Sequence, residues 1–246
     1  MRPIVLLVAI ALLPLGAQSA LGLPAGKDRY AQDVYDYATC TVRNNHKRSR
    51  ELILADIDNA TMAQKFSDLY TSKPLAFVFE CHELILVEHQ VIEIDPDLFR
   101  ISLATVLVQK EFARVATLEF SRVAPLSHRP PEDAGKYQTR FAAAHSDKQR
   151  ARIKLEYDKD LTRFWLAQFG ECAARKEPAV AKDWIMSDVD STAERAAITR
   201  MSPAFAACLA EGETLTFPKS VLRGTVAINY YRLAMAKPAA STGAIN

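Results

Sequence analysis

Glycine is scarce in this chain, at 8 of 246 residues. None falls into a phosphate-cradling loop or a dinucleotide fingerprint, so nucleotide chemistry of those kinds has no seat here. No G-x-S-x-G elbow is present, which removes the hydrolase type of exposed serine turn. There is no C-x-x-C, the spacing that thioredoxin-like redox sites and most zinc ribbons need. Charge of one sign is lacking too. The formal balance is +2, too weak a field to hold nucleic acid or an anionic membrane surface. No cofactor is expected. The longest apolar run, Ile4–Leu15, is broken only by Pro14 and is shorter than the roughly 20 residues of a membrane span.

That run has a different reading. Arg2 supplies a positive charge before it, and small residues follow at Gly16, Ala17, Ser19, Ala20 and Gly22. Charge, apolar stretch and small residues in that order describe a secretory signal peptide over residues 1–22. Cleavage after Ser19 places Ala17 at the −3 position, and cleavage after Gly22 places Ala20 there. The expected location is therefore periplasmic or secreted, with no membrane span after cleavage.

Export changes the meaning of the cysteines. Cys40, Cys81, Cys172 and Cys208 all follow the signal, and an oxidising compartment lets them pair. Four cysteines allow three connectivities. Bridges within each half (Cys40–Cys81, Cys172–Cys208) stand against bridges between halves, with zinc a weaker rival. The one dense group of metal-capable side chains is Glu80, His82, Glu83, Glu88 and His89, and it matches no ligand spacing.

Hydrophobic periodicity is helical through most of the chain. Val34, Tyr37, Ala38 and Thr41 mark a helix over about 31–44. Further helices are expected at about 48–55 and 60–70, and from Pro74 through Cys81. Asp95-Pro96 is a strong start signal, an acceptor at the N-cap followed by proline at N1, for a helix expected to reach about Arg122. Pro125, Pro130, Pro131 and Gly135 mark a loop over 123–136. A long helix follows from Ser146 to about Lys176. Two more are expected at about 179–187 and 192–201, then a short one from Ser202-Pro203 through Cys208. A last helix runs from Pro218 to about Met235, and 238–246 reads as a tail. Val91–Ile94 and Thr214–Phe217 alternate as strands do.

The layout repeats. Cys40–Arg43 and Cys172–Arg175 both read C-x-x-R. Each is followed by short helices, a second cysteine, an alternating run, and a helix in which Arg100 aligns with Arg223 and Ala104 with Ala227. The expected fold is mainly α, with two pseudo-repeated helical lobes (27–122 and 137–237), each carrying a short strand and one disulfide. The two strands are expected to pair about a pseudo-two-fold. Arg43 and Arg175 share a face with their cysteines and are expected to pair with local carboxylates or cap helix ends. Arg100 and Arg223 are the binding candidates, as an anion site between lobes; the structural reading gives each a carboxylate or loop carbonyls.

Gly212 to Leu233, with Leu222-Arg223-Gly224 and Tyr230-Tyr231-Arg232-Leu233, resembles a group of uncharacterised exported proteins of Gram-negative bacteria that carry paired cysteines and a C-x-x-R ahead of this segment. The resemblance implies a periplasmic or secreted location and transfers no activity.

The function expected from export, duplication and missing catalytic motifs is a disulfide-stabilised helical protein with a binding or scaffolding role toward a periplasmic protein partner. The alternative is an enzyme or small-anion binder with its site near Arg100 and Arg223. No nucleic acid is expected. A non-reducing peptide map of the exported protein reads the start of the mature chain and the pairing together. The duplicated layout expects Cys40–Cys81 with Cys172–Cys208, and free thiols on a chain retaining Met1 would overturn both export and stapling.

Overall fold

The computed structural model describes residues 26–55, 81, 86–87, 90–91, 95–116, 118–214 and 216–236. The signal segment 1–22, the helices expected at 60–70 and from Pro74 up to Cys81, the Glu80–His89 cluster and the tail 238–246 lie outside those residues, Cys81 itself excepted.

The fold is mainly α-helical. Helix α1 spans Gly26–Asn44, and one residue, Asn45, separates it from α2, His46–Leu54. Two two-residue strands, β1 (Leu86–Val87) and β2 (Gln90–Val91), pair antiparallel with Leu86 opposite Val91. Helix α3 spans Pro96–Phe112, and its Asp95 N-cap side chain accepts from the Asp97 and Leu98 N–H groups, which otherwise lack intrahelical partners. Asp133 caps α4, Ala134–Ala142, and Ser146 caps α5, Asp147–Lys176. A single residue, Glu177, separates α5 from α6, Pro178–Met186. Helix α7 is Thr192–Ala207 and α8 is Lys219–Ala236.

Four expectations are corrected. Helix α3 stops at Phe112, because the chain turns at Ala113–Val115 and sends Phe120 and Val123 into the core. Thr214, Thr216 and Phe217 form no strand; Phe217 instead stacks on Trp165, with ring centroids 5.5 Å apart. Val91 pairs with Leu86 and not with that segment. The two helices expected on either side of Ser202 are one, with Pro203 inside it. Its ring removes one backbone donor, and the helix runs on through Phe205, which is buried against Phe169 and Trp184.

The two halves of the chain share one core and do not form separate lobes. A continuous cluster joins Tyr37, Leu52 and Phe99 from the first half with Phe169, Trp184, Val226 and Tyr230 from the second. Helices α3 and α8 lie at its centre. Helix α3 packs on α1 and α2, α8 packs on α5 and α6, and the two pack on each other. Tyr230 is fully buried between Phe112 and Phe120 in edge-on contacts, and that burial pushes its hydroxyl up to about 12. The disulfides join Cys40 to Cys81 and Cys172 to Cys208, with Cα atoms 5.7 and 5.9 Å apart. The closed loops span 41 and 36 positions, for which a chain-entropy account gives roughly 4 kcal/mol each.

The centre depends on Gly224. A Cβ there would lie 1.7 Å from Ile101 Cγ2, far inside any tolerable contact. Glycine in a helix interior costs about 1 kcal/mol relative to alanine, so the close approach of α3 must outweigh that. Gly224→Ala is expected to destabilise the protein by about 3 kcal/mol through overpacking, read from urea unfolding midpoints. Ile101→Ala in the same chain should recover part of that loss; full additivity of the two changes would show that this contact is not the cause.

Candidate functional site

Helix α8 is buried on nearly every side, but one stripe faces a cleft. Val221, Thr225, Ile228, Asn229 and Arg232 recur at steps of three and four along it, the spacing of one helix face. The N-terminal part of α3 and the middle of α5 form the other walls, and the Arg129–Pro131 stretch of the Pro-rich loop closes one side. Phe217 and Pro218 lie at the start of α8. The cleft encloses about 1020 Å³, at the top of the range for sites that enclose small molecules.

Its wall charges are organised into pairs. Arg163 on α5 grips Asp97 on α3 with both arms, Nε to Oδ1 at 2.9 Å and Nη2 to Oδ2 at 2.5 Å. Its third nitrogen reaches Asp160 at 3.2 Å. Burial opposes the charge on Arg163, but the two carboxylates outweigh it and its pKa is raised. Lys154 holds Asp158 at 2.5 Å.

Asn229 is the most buried of the polar residues lining the cleft. It is 1% exposed, its Nδ2 donates to the Thr225 carbonyl at 2.9 Å, and its Oδ1 has no hydrogen-bond partner. Gly170 of α5 makes room for this side chain, since a Cβ there would come within 2.6 Å of Asn229 Nδ2 and of Thr225 Cγ2.

A second polar network pins the Pro-rich loop beside the cleft. Glu171 on α5 accepts from the Leu126 N–H at 3.0 Å and from Arg175 Nε at 2.7 Å, and its other oxygen meets His128 Nε2 at 2.5 Å. Arg175 also donates to the carbonyls of Phe120, Val123 and Ala124. Arg232 donates to the Ser127 carbonyl at 2.7 Å and faces His128 Nδ1 at 3.5 Å. Burial alone would raise the Glu171 pKa, but the hydrogen bonds from Leu126, Arg175 and His128 together hold it below the usual glutamate range.

Of the two binding candidates, the cleft contains only Arg100. Arg100 also donates to the Ala55 carbonyl, just past the end of α2, at 2.9 Å. Arg223 points into the core. It donates to the carbonyls of Ile185 (2.8 Å) and Ser187 (2.5 Å) and pairs with buried Glu194 at 3.2 Å. Lys219 completes that cluster at 2.7 Å from Glu194. Arg43 lies against the Cys40 sulfur at 3.9 Å, while Arg175 serves the loop carbonyls and Glu171. The four cysteines are consumed by the two bridges. Asn229, Glu171 and Glu194 went unmarked in the sequence, and Arg232 stood out only as part of the Tyr230-Tyr231-Arg232-Leu233 run. The available signal was a polar residue in the middle of an otherwise apolar helix, as at Asn229 and Arg232.

No family model, no curated protein and no solved structure matches this chain.

The loop network carries a pH dependence. A carboxyl whose folded pKa is depressed contributes stability that is present above its unfolded value, near 4.3, and lost as pH falls through the folded one. Glu171→Gln is therefore expected to cost about 3 kcal/mol at pH 7 by stranding Arg175. The gap to wild type should close progressively below pH ~4, measured by urea unfolding across pH.

Proposed function

We propose that this chain is an exported, disulfide-stapled helical binding protein, and that its ligand occupies the cleft between α3, α5 and α8. The observation that carries the reading is the cleft itself: an apolar floor with a few converging polar groups, the usual composition of a small-molecule site. Two disulfides and the absence of any membrane-spanning helix among the described residues are compatible with export. So is the resemblance of the Gly212–Leu233 segment to exported proteins of Gram-negative bacteria. The alternative site near Arg100 and Arg223 is thereby narrowed to the Arg100 side.

The same proposal includes internal duplication. In both halves a cysteine-bearing helix breaks for one residue and continues as a nine-residue helix. In both, an arginine near the start of the central helix bonds the carbonyl just past that nine-residue helix, Arg100 to Ala55 and Arg223 to Ser187. Ile101 and Gly224, which touch where α3 meets α8, are the residues immediately after those arginines. Those correspondences support duplication around one shared core.

The test uses a small-molecule extract of the periplasm in a thermal-shift assay. The mature protein is expected to gain several degrees of Tm from at least one fraction, since occupancy at about 100 times Kd adds ~2.7 kcal/mol. Val221→Trp, which fills the cleft from a half-buried position in the first turn of α8, should abolish the gain while keeping the basal Tm. Equal stabilisation of both proteins would move the site elsewhere, and no stabilising fraction at all would overturn the binding reading.

A further inference from the structure

Resting on that reading of the cleft, we infer that its ligand is an elongated, uncharged apolar molecule. The shape of the floor and the commitments of the charged groups around it point to this independently. The floor is aliphatic and aromatic, with Leu98, Ile101, Phe164, Val221 and Ile228 among its residues. Along α8 the wall from Val221 to Arg232 rises by ~1.5 Å per residue, ~16 Å in all, and along α5 the wall from Leu155 to Ala167 rises by ~18 Å. Two long walls suit an elongated occupant. Leu155 lines the cleft and is still 56% exposed, so an apolar occupant removes that side chain from water as well as itself.

The charged groups on the walls are committed to holding the walls. Arg163 ties α5 to α3 through both oxygens of Asp97, and its third nitrogen takes Asp160 on its own helix. Arg100 ties α3 to the Ala55 carbonyl just past α2. Arg232 ties α8 to the Pro-rich loop through the Ser127 carbonyl and faces His128. Asp158 is paired with Lys154, Asp95 caps α3, and Arg129 is engaged as well. Lys159 is exposed, where water screens its charge.

This arrangement selects against an ion of either sign. A charged group that enters from water gives up hydration, and that loss is offset only by a counter-charge able to answer it. Here the wall charges already answer one another or backbone carbonyls. Recruiting Arg163, Arg100 or Arg232 to a ligand would loosen a tie between two elements of the cleft. An uncharged ligand keeps every tie and still covers the apolar floor.

Isothermal titration at neutral pH tests this with three ten-carbon probes, each kept below its solubility or micelle limit: 1-decanol, decanoate and decyltrimethylammonium. At the reach of an extended chain each spans ~12 Å, shorter than either wall. The protein is expected to bind the alcohol about tenfold more tightly than either ion, equivalent to ~1.4 kcal/mol. Asp97→Asn, which leaves Arg163 with one carboxylate in place of two, should move the decanoate-to-decanol affinity ratio about tenfold toward the anion; a change that merely loosened the fold would weaken both probes alike. If that variant does not fold, the three probes on the unaltered protein decide. An ion that binds as tightly as decanol overturns the inference and leaves the cleft a binding site. Decanol binding undiminished by Val221→Trp also overturns it, because the probe then lies outside the cleft. No heat from any probe alongside a stabilising periplasmic fraction removes this ligand class alone, and failure of both removes the binding reading as well.

Discussion

Where α3 crosses α8, a side chain of one helix occupies the place where a side chain of the other would be. Ile101 fits only because Gly224 has no Cβ. The other helices are arranged around that contact, with α1 and α2 against α3 and α5 and α6 against α8. The cleft opens beside it, since Ile101 and Thr225 both line its wall. A larger residue at 224 would therefore do more than cost packing energy. It would separate the two central helices and change the width of the space between them, so stability and the shape of the site are set by the same missing methyl group.

Arginine forks do the work that turn-forming residues do in other folds. Glycine is scarce, yet the chain must end short helices and hold a loop with no helix or strand over 118–133. Buried carbonyls at those places need donors. Arg100 and Arg223 supply them just past α2 and α6, and Arg175 supplies three for the loop alone. A lysine, with one compact charged group, would not span such sets, whereas the planar guanidinium reaches several acceptors at once. Burying Arg223 is costly in itself, and Glu194, at 1% exposure, offsets the charge. Removing either partner alone would leave the other stranded, which is the expensive case for a buried pair.

Local signals were legible in the sequence and long-range ones were not. Asp95-Pro96, Ser146 and Glu177-Pro178 mark helix ends that the structure places within a residue of expectation, because caps and proline act over one turn. The end of α3 was not legible. Apolar periodicity continues past Phe112, and only the tertiary demand that Phe120 enter the core turns the chain earlier. Thr214–Phe217 alternates like a strand, but a strand needs a partner edge, and Phe217 has a ring to stack on instead. Arg100 and Arg223 stood out as arginines among apolar neighbours. Which one faces a cleft depends on what packs opposite, and one helix's sequence carries no record of that.

The register set by Arg100 and Arg223 also sets the two central helices side by side. It places Ser102, Thr105, Val106 and Gln109 of α3 where α8 has Thr225, Ile228, Asn229 and Arg232. On α3 the polar members are closed off. Ser102 and Thr105 donate to their own helix's carbonyls at Leu98 and Ile101, and Gln109 bridges Tyr35 and the Ile185 carbonyl. The position of Asn229 is held by a valine that needs no partner. On α8 the Asn229 Oδ1 has no hydrogen-bond partner, while the Arg232 guanidinium donates to the Ser127 carbonyl and faces His128. If the halves descend from one ancestor, they have diverged in opposite directions from similar geometry, one face satisfying its polar groups internally for stability and the other retaining an unsatisfied group. The difference between Val106 and Asn229 is a difference in hydrogen-bond satisfaction: the valine has no polar group to satisfy, whereas the Asn229 Oδ1 is one of six buried side-chain atoms among the described residues without a partner.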